Sequence, residues 1–238
     1  MLELKNISFQ AEDEKEILKD VSLKIDDKIV VITGPNGGGK STLAKVIAGI
    51  VTPTGGQILL DGEDITGYSV TERANAGISL AFQQPVRFKG LTVRDLITIA
   101  AGKELNVSEA CSYLSEVGLC AKDYIDRELN ASLSGGEIKR IEIATILARG
   151  SKFSIFDEPE AGIDLWSFQG LIRVFEKMQK EYKGTILIIS HQERILDIAD
   201  KIIYIKDGMV EQYGPKDEIL KTLINAAQPG CDVLMQKI

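Results

Sequence analysis

Leu133-Ser134-Gly135-Gly136-Glu137 decides how the chain is read, because of its position relative to two other segments. A glycine-rich turn, Gly34-Pro35-Asn36-Gly37-Gly38-Gly39-Lys40-Ser41-Thr42, lies upstream, 99 residues away counted from Gly34 to Leu133. The run Phe153-Ser154-Ile155-Phe156, closed by Asp157-Glu158, begins 20 residues after Leu133. The upstream turn sits between the apolar run Ile29-Val30-Val31-Ile32-Thr33 and a helical pattern from Ser41 to Ile47. Strand, Gly-rich turn and helix in that order make a phosphate loop. The glycines let backbone N–H groups converge on phosphate oxygens, and the helix N-terminus adds positive potential. Alone, the loop indicates only that some nucleotide binds. A Gly-Gly helix start shortly before an acidic strand end narrows the reading.

Continuous apolar runs like Ile29–Thr33 mark strands covered on both faces, as in a parallel sheet. They recur at Ile78 to Phe82, Phe153 to Phe156, Thr185 to Ser190 and Ile202 to Ile205, with helical patterns between them. The core is therefore expected to be α/β with a mostly parallel sheet. Leu2 to Ile7 and Val21 to Ile25 alternate apolar and polar residues, which predicts two half-buried strands of an N-terminal antiparallel sheet. The charged stretch Glu12 to Glu16 joins them. From about Thr92 to Asn130 the pattern has helical period only, predicting an inserted helical lobe that reaches to about residue 134. Asp207-Gly208 predicts a hairpin turn between Ile203-Tyr204-Ile205 and Met209-Val210. A helix over Asp217 to Asn225 and a loose tail are expected to follow.

The chain has 238 residues, 44% hydrophobic and 26% charged, with a formal net charge of −7. That acidity argues against a broad phosphate-tracking surface, so no nucleic-acid partner is expected. No apolar run approaches the length of a membrane span, and Met1-Leu2-Glu3-Leu4-Lys5 lacks a signal-peptide layout. The expected location is cytoplasmic. Cys111, Cys120 and Cys231 form no Cys-x-x-Cys pair and read as reduced thiols with packing roles.

The phosphate loop assigns chemistry to its residues: Lys40 reaches the β- and γ-phosphates, and the Ser41 hydroxyl binds Mg²⁺. Asp157 at a strand end holds the Mg²⁺ shell, and Glu158 beside it orients and deprotonates an attacking water. Two solvated carboxylates would look the same without the loop. His191, the chain's one histidine, follows an apolar strand at its carboxyl end, where ligands bind in open α/β sheets. It suits contact with the γ-phosphate and the water. Gln83 ends another strand and can touch Mg²⁺ or water through its amide oxygen. Ser134 can cap the helix Glu137 to Ala148, and Gly135 and Gly136 permit close approach to an anion. In isolation those residues read equally as an ordinary capped helix start.

Together the motifs resemble the nucleotide-binding subunits of ATP-binding cassette (ABC) proteins over nearly the whole chain. The resemblance implies one cassette domain over 1–238, binding ATP and Mg²⁺ and hydrolysing the ATP. Gly34 to Thr42 becomes the Walker A loop, Gln83 the Q-loop residue, and Leu133 to Glu137 the signature. Asp157 and Glu158 become Walker B and catalytic base, Ala161-Gly162-Ile163-Asp164 the D-loop, and His191 the switch histidine. In the family the signature lies far from its own phosphate loop and is supplied by a second copy, which closes ATP in a twofold sandwich.

Finer details resemble the SufC-type ATPases of iron–sulfur cluster assembly. The stretches that carry this are Ala81 to Val86, Ser134 to Arg140, Gly162-Ile163-Asp164 and His191 to Asp197. Glu137 stands where transporter subunits usually carry Gln. Ala11, with Phe9 nearby, stands where they usually stack an aromatic on adenine. A short helical lobe, Gln84 in place of an aromatic, and Glu160-Ala161 in place of Asp-Ser depart from that branch. The expected partner is a soluble scaffold of the SufB/SufD type, docked around Gln83 to Thr92. The alternative is a membrane permease, with this chain as the transporter's motor. A chromosome or DNA-repair ATPase is disfavoured by the charge and by the absence of a coiled coil or zinc insertion.

Overall fold

The computed structural model describes residues 1–11, 14–84, 86, 88–130, 133–181 and 183–227. The chain opens with β1 (Leu2–Gln10), β2 (Glu16–Ile25) and β3 (Ile29–Thr33), then α1 (Lys40–Ala48), β4 (Gly55–Leu60) and β5 (Glu63–Asp64). Next come α2 (Val70–Ala76), β6 (Ile78–Ala81), α3 (Val93–Ala101), α4 (Val107–Glu116), α5 (Ala121–Tyr124) and α6 (Gly135–Arg149). The rest is β7 (Phe153–Asp157), α7 (Leu165–Glu181), β8 (Thr185–Ile189), α8 (Glu193–Asp197), β9 (Lys201–Lys206), β10 (Met209–Pro215) and α9 (Lys216–Ala227).

Two sheets result, ordered β2-β1-β4-β5 and β10-β9-β3-β8-β7-β6. The first is antiparallel throughout, and Leu2 faces Ile25 across β1 and β2. In the second, β9, β3, β8, β7 and β6 are parallel, and only β10 runs against its neighbour. β3, β7 and β8 are buried at every position, in keeping with their largely apolar runs, and Ser154 is buried within β7. Alternation along them feeds two cores. Val31, Ile188 and Phe156 face a layer with α6 and α7, while Val30, Leu187 and Ile155 face α1 and the antiparallel sheet. Phe156 meets Phe175 of α7 edge to face, ring centroids 5.1 Å apart.

The hairpin turn forms at Asp207-Gly208 with φ of 51° and 82°, both in the left-handed region that such a turn demands. The segment 55–76 escapes the periodicity reading. β4 buries only Ile58 and Leu60 after two glycines, and α2 buries a single residue, Arg73. Strand β6 ends at Ala81, so Phe82 lies beyond it and is exposed. The region 93–124 holds α3, α4 and α5, with an isolated bridge between Thr92 and Glu128 that its helical period did not announce. Cys111 is half-buried, but Cys120 is exposed, so the expected packing role fails there. Cys231 and the tail lie outside the described residues. No helix among those described is long and apolar enough to cross a membrane.

Candidate functional site

Parallel strands deliver their carboxyl ends to one edge of the sheet. There β3 leads into the phosphate loop, β6 into Gln83, β7 into Asp157-Glu158, and β8 into His191. An open cavity of about 660 Å³ gathers Asn36, Gly37, Gly39, Lys40, Ser41, Thr42, Gln83 and Glu158. Gly34 has to be glycine: a Cβ there would stand 1.9 Å from the Ile205 carbonyl oxygen, and its φ is 138°. The loop is thus pressed against β9.

Lys40 is buried, and its Nζ donates to the carbonyls of Gly34 (2.8 Å) and Pro35 (2.9 Å). Burial pushes its pKa down, opposed by the charges of Glu158 and Asp157. The Ser41 hydroxyl donates to Asp157 Oδ1 at 3.0 Å. Burial raises the Asp157 pKa, the Ser41 bond lowers it, and Glu158 raises it again. Paired oxygens of a hydroxyl and a carboxylate beside a phosphate loop fit a small hard cation such as Mg²⁺. Among the described residues no cluster of three or more His, Cys, Asp or Glu could hold a metal without help.

Glu158 adopts φ 47°, a left-handed conformation that costs a non-glycine residue roughly 1–2 kcal/mol. Its backbone is held on both sides. The Glu158 N–H donates to Ile189 O at 3.0 Å, and Lys139 Nζ donates to Glu158 O at 2.7 Å. Its carboxylate accepts from the Gln83 amide at 2.5 Å and lies 3.7 Å from His191 Nε2. Gln83 thus holds Glu158 through its amide nitrogen, a different atom from the oxygen expected to touch Mg²⁺ or water. Behind them, burial lowers the Lys139 pKa against the opposing pull of Glu142, Glu160, Asp157 and Glu158. Glu142 is pushed up to about 7, chiefly by burial.

The signature residues Ser134, Gly135 and Gly136, with Glu137, do not line this cavity, and neither does Asp164. Ser134 precedes α6, and Gly135, Gly136 and Glu137 make its first turn. Ser134 Oγ accepts from the Glu137 N–H (3.3 Å) while Glu137 accepts from the Ser134 N–H (2.6 Å), a reciprocal cap of α6. Tyr124 donates to the same carboxylate, and that hydroxyl is the main reason the Glu137 pKa is lowered. Asp164 accepts from the Ser167 N–H at 3.0 Å, at the start of α7.

The cavity is also lined by Lys15, Glu16, Ile17, Lys19, Asp207 and Gly208. Phe9 packs instead against the core, and Ala11 forms a turn with Lys15. Sequence reasoning used Lys139 only within the stretch Ser134 to Arg140, with no role at the base, and did not single out Glu142. Their signal was two charges spaced three apart inside a helix whose buried residues include Ile138, Ile141, Ile143 and Ile146.

A model of the ABC transporter family matches residues 18–161. An uncharacterized ABC transporter ATP-binding protein of Methanocaldococcus jannaschii is 39% identical over 214 residues, covering 86% of this chain and 85% of its own. A spermidine/putrescine import ATP-binding protein of Mesoplasma florum is 31% identical over 226 residues, covering 92% of this chain and 63% of its own. Among solved structures, a dimeric ATP-binding cassette in a post-hydrolysis state with ADP and Pi superposes with a TM-score of 0.80 at 26% identity. That match covers 91% of this chain and 99% of the cassette. With the matched segment running from β2 past the acidic end of β7, the chain belongs to the ABC transporter family as an ATP-binding cassette.

Proposed function

We propose that the chain is the ATP-hydrolysing subunit of an ABC system, in which two copies close on ATP and drive a separate partner. The observation that carries this is that Lys40, Ser41, Gln83 and Glu158 line one cavity, with Asp157 bonded to Ser41 and His191 3.7 Å from Glu158, while Ser134 to Glu137 do not line it. In this reading ATP seats its phosphates on the loop amides of Gly34 to Thr42, with Lys40 released from its own carbonyls to meet them. Mg²⁺, when bound, would be held by Ser41, Asp157 and Gln83 and would neutralise phosphate charge. Glu158 accepts the proton of the attacking water, and His191 and Gln83 hold the carboxylate and water in line. Ser134, Gly135, Gly136, Glu137 and Asp164 act on nucleotide held by the other copy.

The names of the relatives support a membrane permease as partner more than a soluble scaffold, since they are described as ABC transporter and polyamine-import ATP-binding proteins. A cytoplasmic cassette docked beneath a permease is therefore the favoured reading. The soluble iron–sulfur scaffold is a second reading, which rests on the sequence resemblance carried by Glu137 and Lys139-Arg140. Either partner would meet the apolar ground that Phe82, Val86 and Phe88 expose beside the site; Pro85 lies outside the described residues. Phosphate release from ATP and Mg²⁺ by the purified chain tests the activity. It should vanish in Lys40→Ala, and unchanged turnover there overturns the assignment. Co-purification from separated membrane and soluble fractions decides between partners.

A further inference from the structure

We propose that Glu142 is a positioning residue for the catalytic base, tethering the segment after β6 to α6 and so fixing Gln83 against Glu158. Glu142 Oε1 accepts from the Phe82 N–H at 3.2 Å. That N–H lies one residue beyond β6, the edge strand of its sheet, so a helix side chain supplies the acceptor. Gln83 is the next residue, and its amide holds Glu158 Oε2. On the other flank Lys139, three residues earlier on α6, holds the Glu158 carbonyl. One helix thus grips the base from two sides, through Lys139 directly and through Glu142, Phe82 and Gln83.

The arrangement joins two sites. The first turn of α6 is the signature, and its middle carries Lys139 and Glu142. On the function proposed above, the N-terminus of α6 reads the other copy's nucleotide while its middle sets the base of its own site. Exposed Phe82, Val86 and Phe88 put a partner's docking ground on the same tether. The Glu142 carboxylate is disfavoured by burial, which sets a cost against keeping an ionisable group here rather than a leucine.

The test uses the full chain with Glu142→Ala, Glu142→Asp and Glu142→Gln. Amide hydrogen exchange at Phe82 should speed up about tenfold in the Ala and Asp variants, which cannot reach the N–H, and change less than about twofold in Gln. The Gln83 side-chain amide resonances should shift in Ala and Asp and stay near the wild-type position in Gln. In hydrolysis, kcat should fall about tenfold in Ala with KM for ATP within about twofold, and Gln should recover most of it. Equal Phe82 exchange in Ala and wild type overturns the tether, as does an unmoved Gln83 resonance. A lost tether with unchanged kcat overturns the positioning role and leaves the ATPase reading intact. Exchange and resonance need no turnover, so a wild-type chain that does not hydrolyse ATP counts against the proposed function alone.

Discussion

Arg73→Met removes a guanidinium that locks the C-terminal end of the phosphate-loop helix. Arg73 is 1% exposed, and its Nη1 donates to Val46 O (2.6 Å) and Ile47 O (2.9 Å), the last-turn carbonyls of α1. Its Nη2 donates to Thr66 O (2.8 Å) and its Nε to Tyr68 O (3.2 Å), which ties the segment before α2 to the same point. Met keeps most of the stem, so cavity formation is minor and the loss is that of four charge-assisted bonds. Each is worth about 1.5–3 kcal/mol in isolation, and the recovered hydration of the cation offsets a large share. We expect a net loss of about 3–4 kcal/mol, in the range for a broken buried network. At about 2–4 °C per kcal/mol for a chain of this size, the melting temperature should fall by about 6–16 °C. Scanning calorimetry without nucleotide reads this directly. A drop below about 3 °C would show that those carbonyls find other donors and that the lock is not structural.

Gly34→Ala should both lower stability and abolish nucleotide binding, because the new Cβ cannot coexist with the Ile205 carbonyl; isothermal titration with ATP would show no heat, and wild-type affinity would contradict the geometry. Glu142→Gln should reshape the pH dependence of stability. The Glu142 pKa rises from 4.5 to about 7 on folding, so wild type loses stability as pH climbs through that window, and the non-ionising variant should gain on it between pH 5 and pH 8. Parallel denaturation midpoints for the two proteins across that range would refute the shift. Phe88→Asp should weaken partner capture at least tenfold while ATP affinity stays within about twofold, since Phe88 is exposed and does not line the cavity. Equal capture places the contact elsewhere.

The parallel core was legible because β3, β7 and β8 are buried on both faces, and only continuous apolar runs satisfy that. The candidate site residues stood out for a related reason: the parallel strands β9, β3, β8, β7 and β6 bring their carboxyl ends to one edge, so Gln83, Asp157, Glu158 and His191 read as strand-end polar residues. Elements such as β4 and α2 were not, since Ile58 and Leu60 are too few to set a period and α2 has no apolar stripe. The available signal for α2 was the cap Ser69-x-x-Glu72, which does form. Arg73, Lys139 and Glu142 were illegible for another reason. A charge in a helix reads as solvated until the fold shows what it is buried against, and their partners are backbone groups distant in sequence.

On the proposed function, a complete site requires two copies, one giving the phosphate loop and the other the signature. Glu158→Gln keeps every binding group but cannot take up the water's proton, so the closed pair should persist once ATP is bound. Light scattering of Glu158→Gln with ATP and Mg²⁺ measures this. We expect a shift from the 26.0 kDa chain to twice that mass with ATP, and none when Ser134→Arg is added to the same chain. A Glu158→Gln chain that stays at the monomer mass and hydrolyses ATP at the wild-type rate would contradict it.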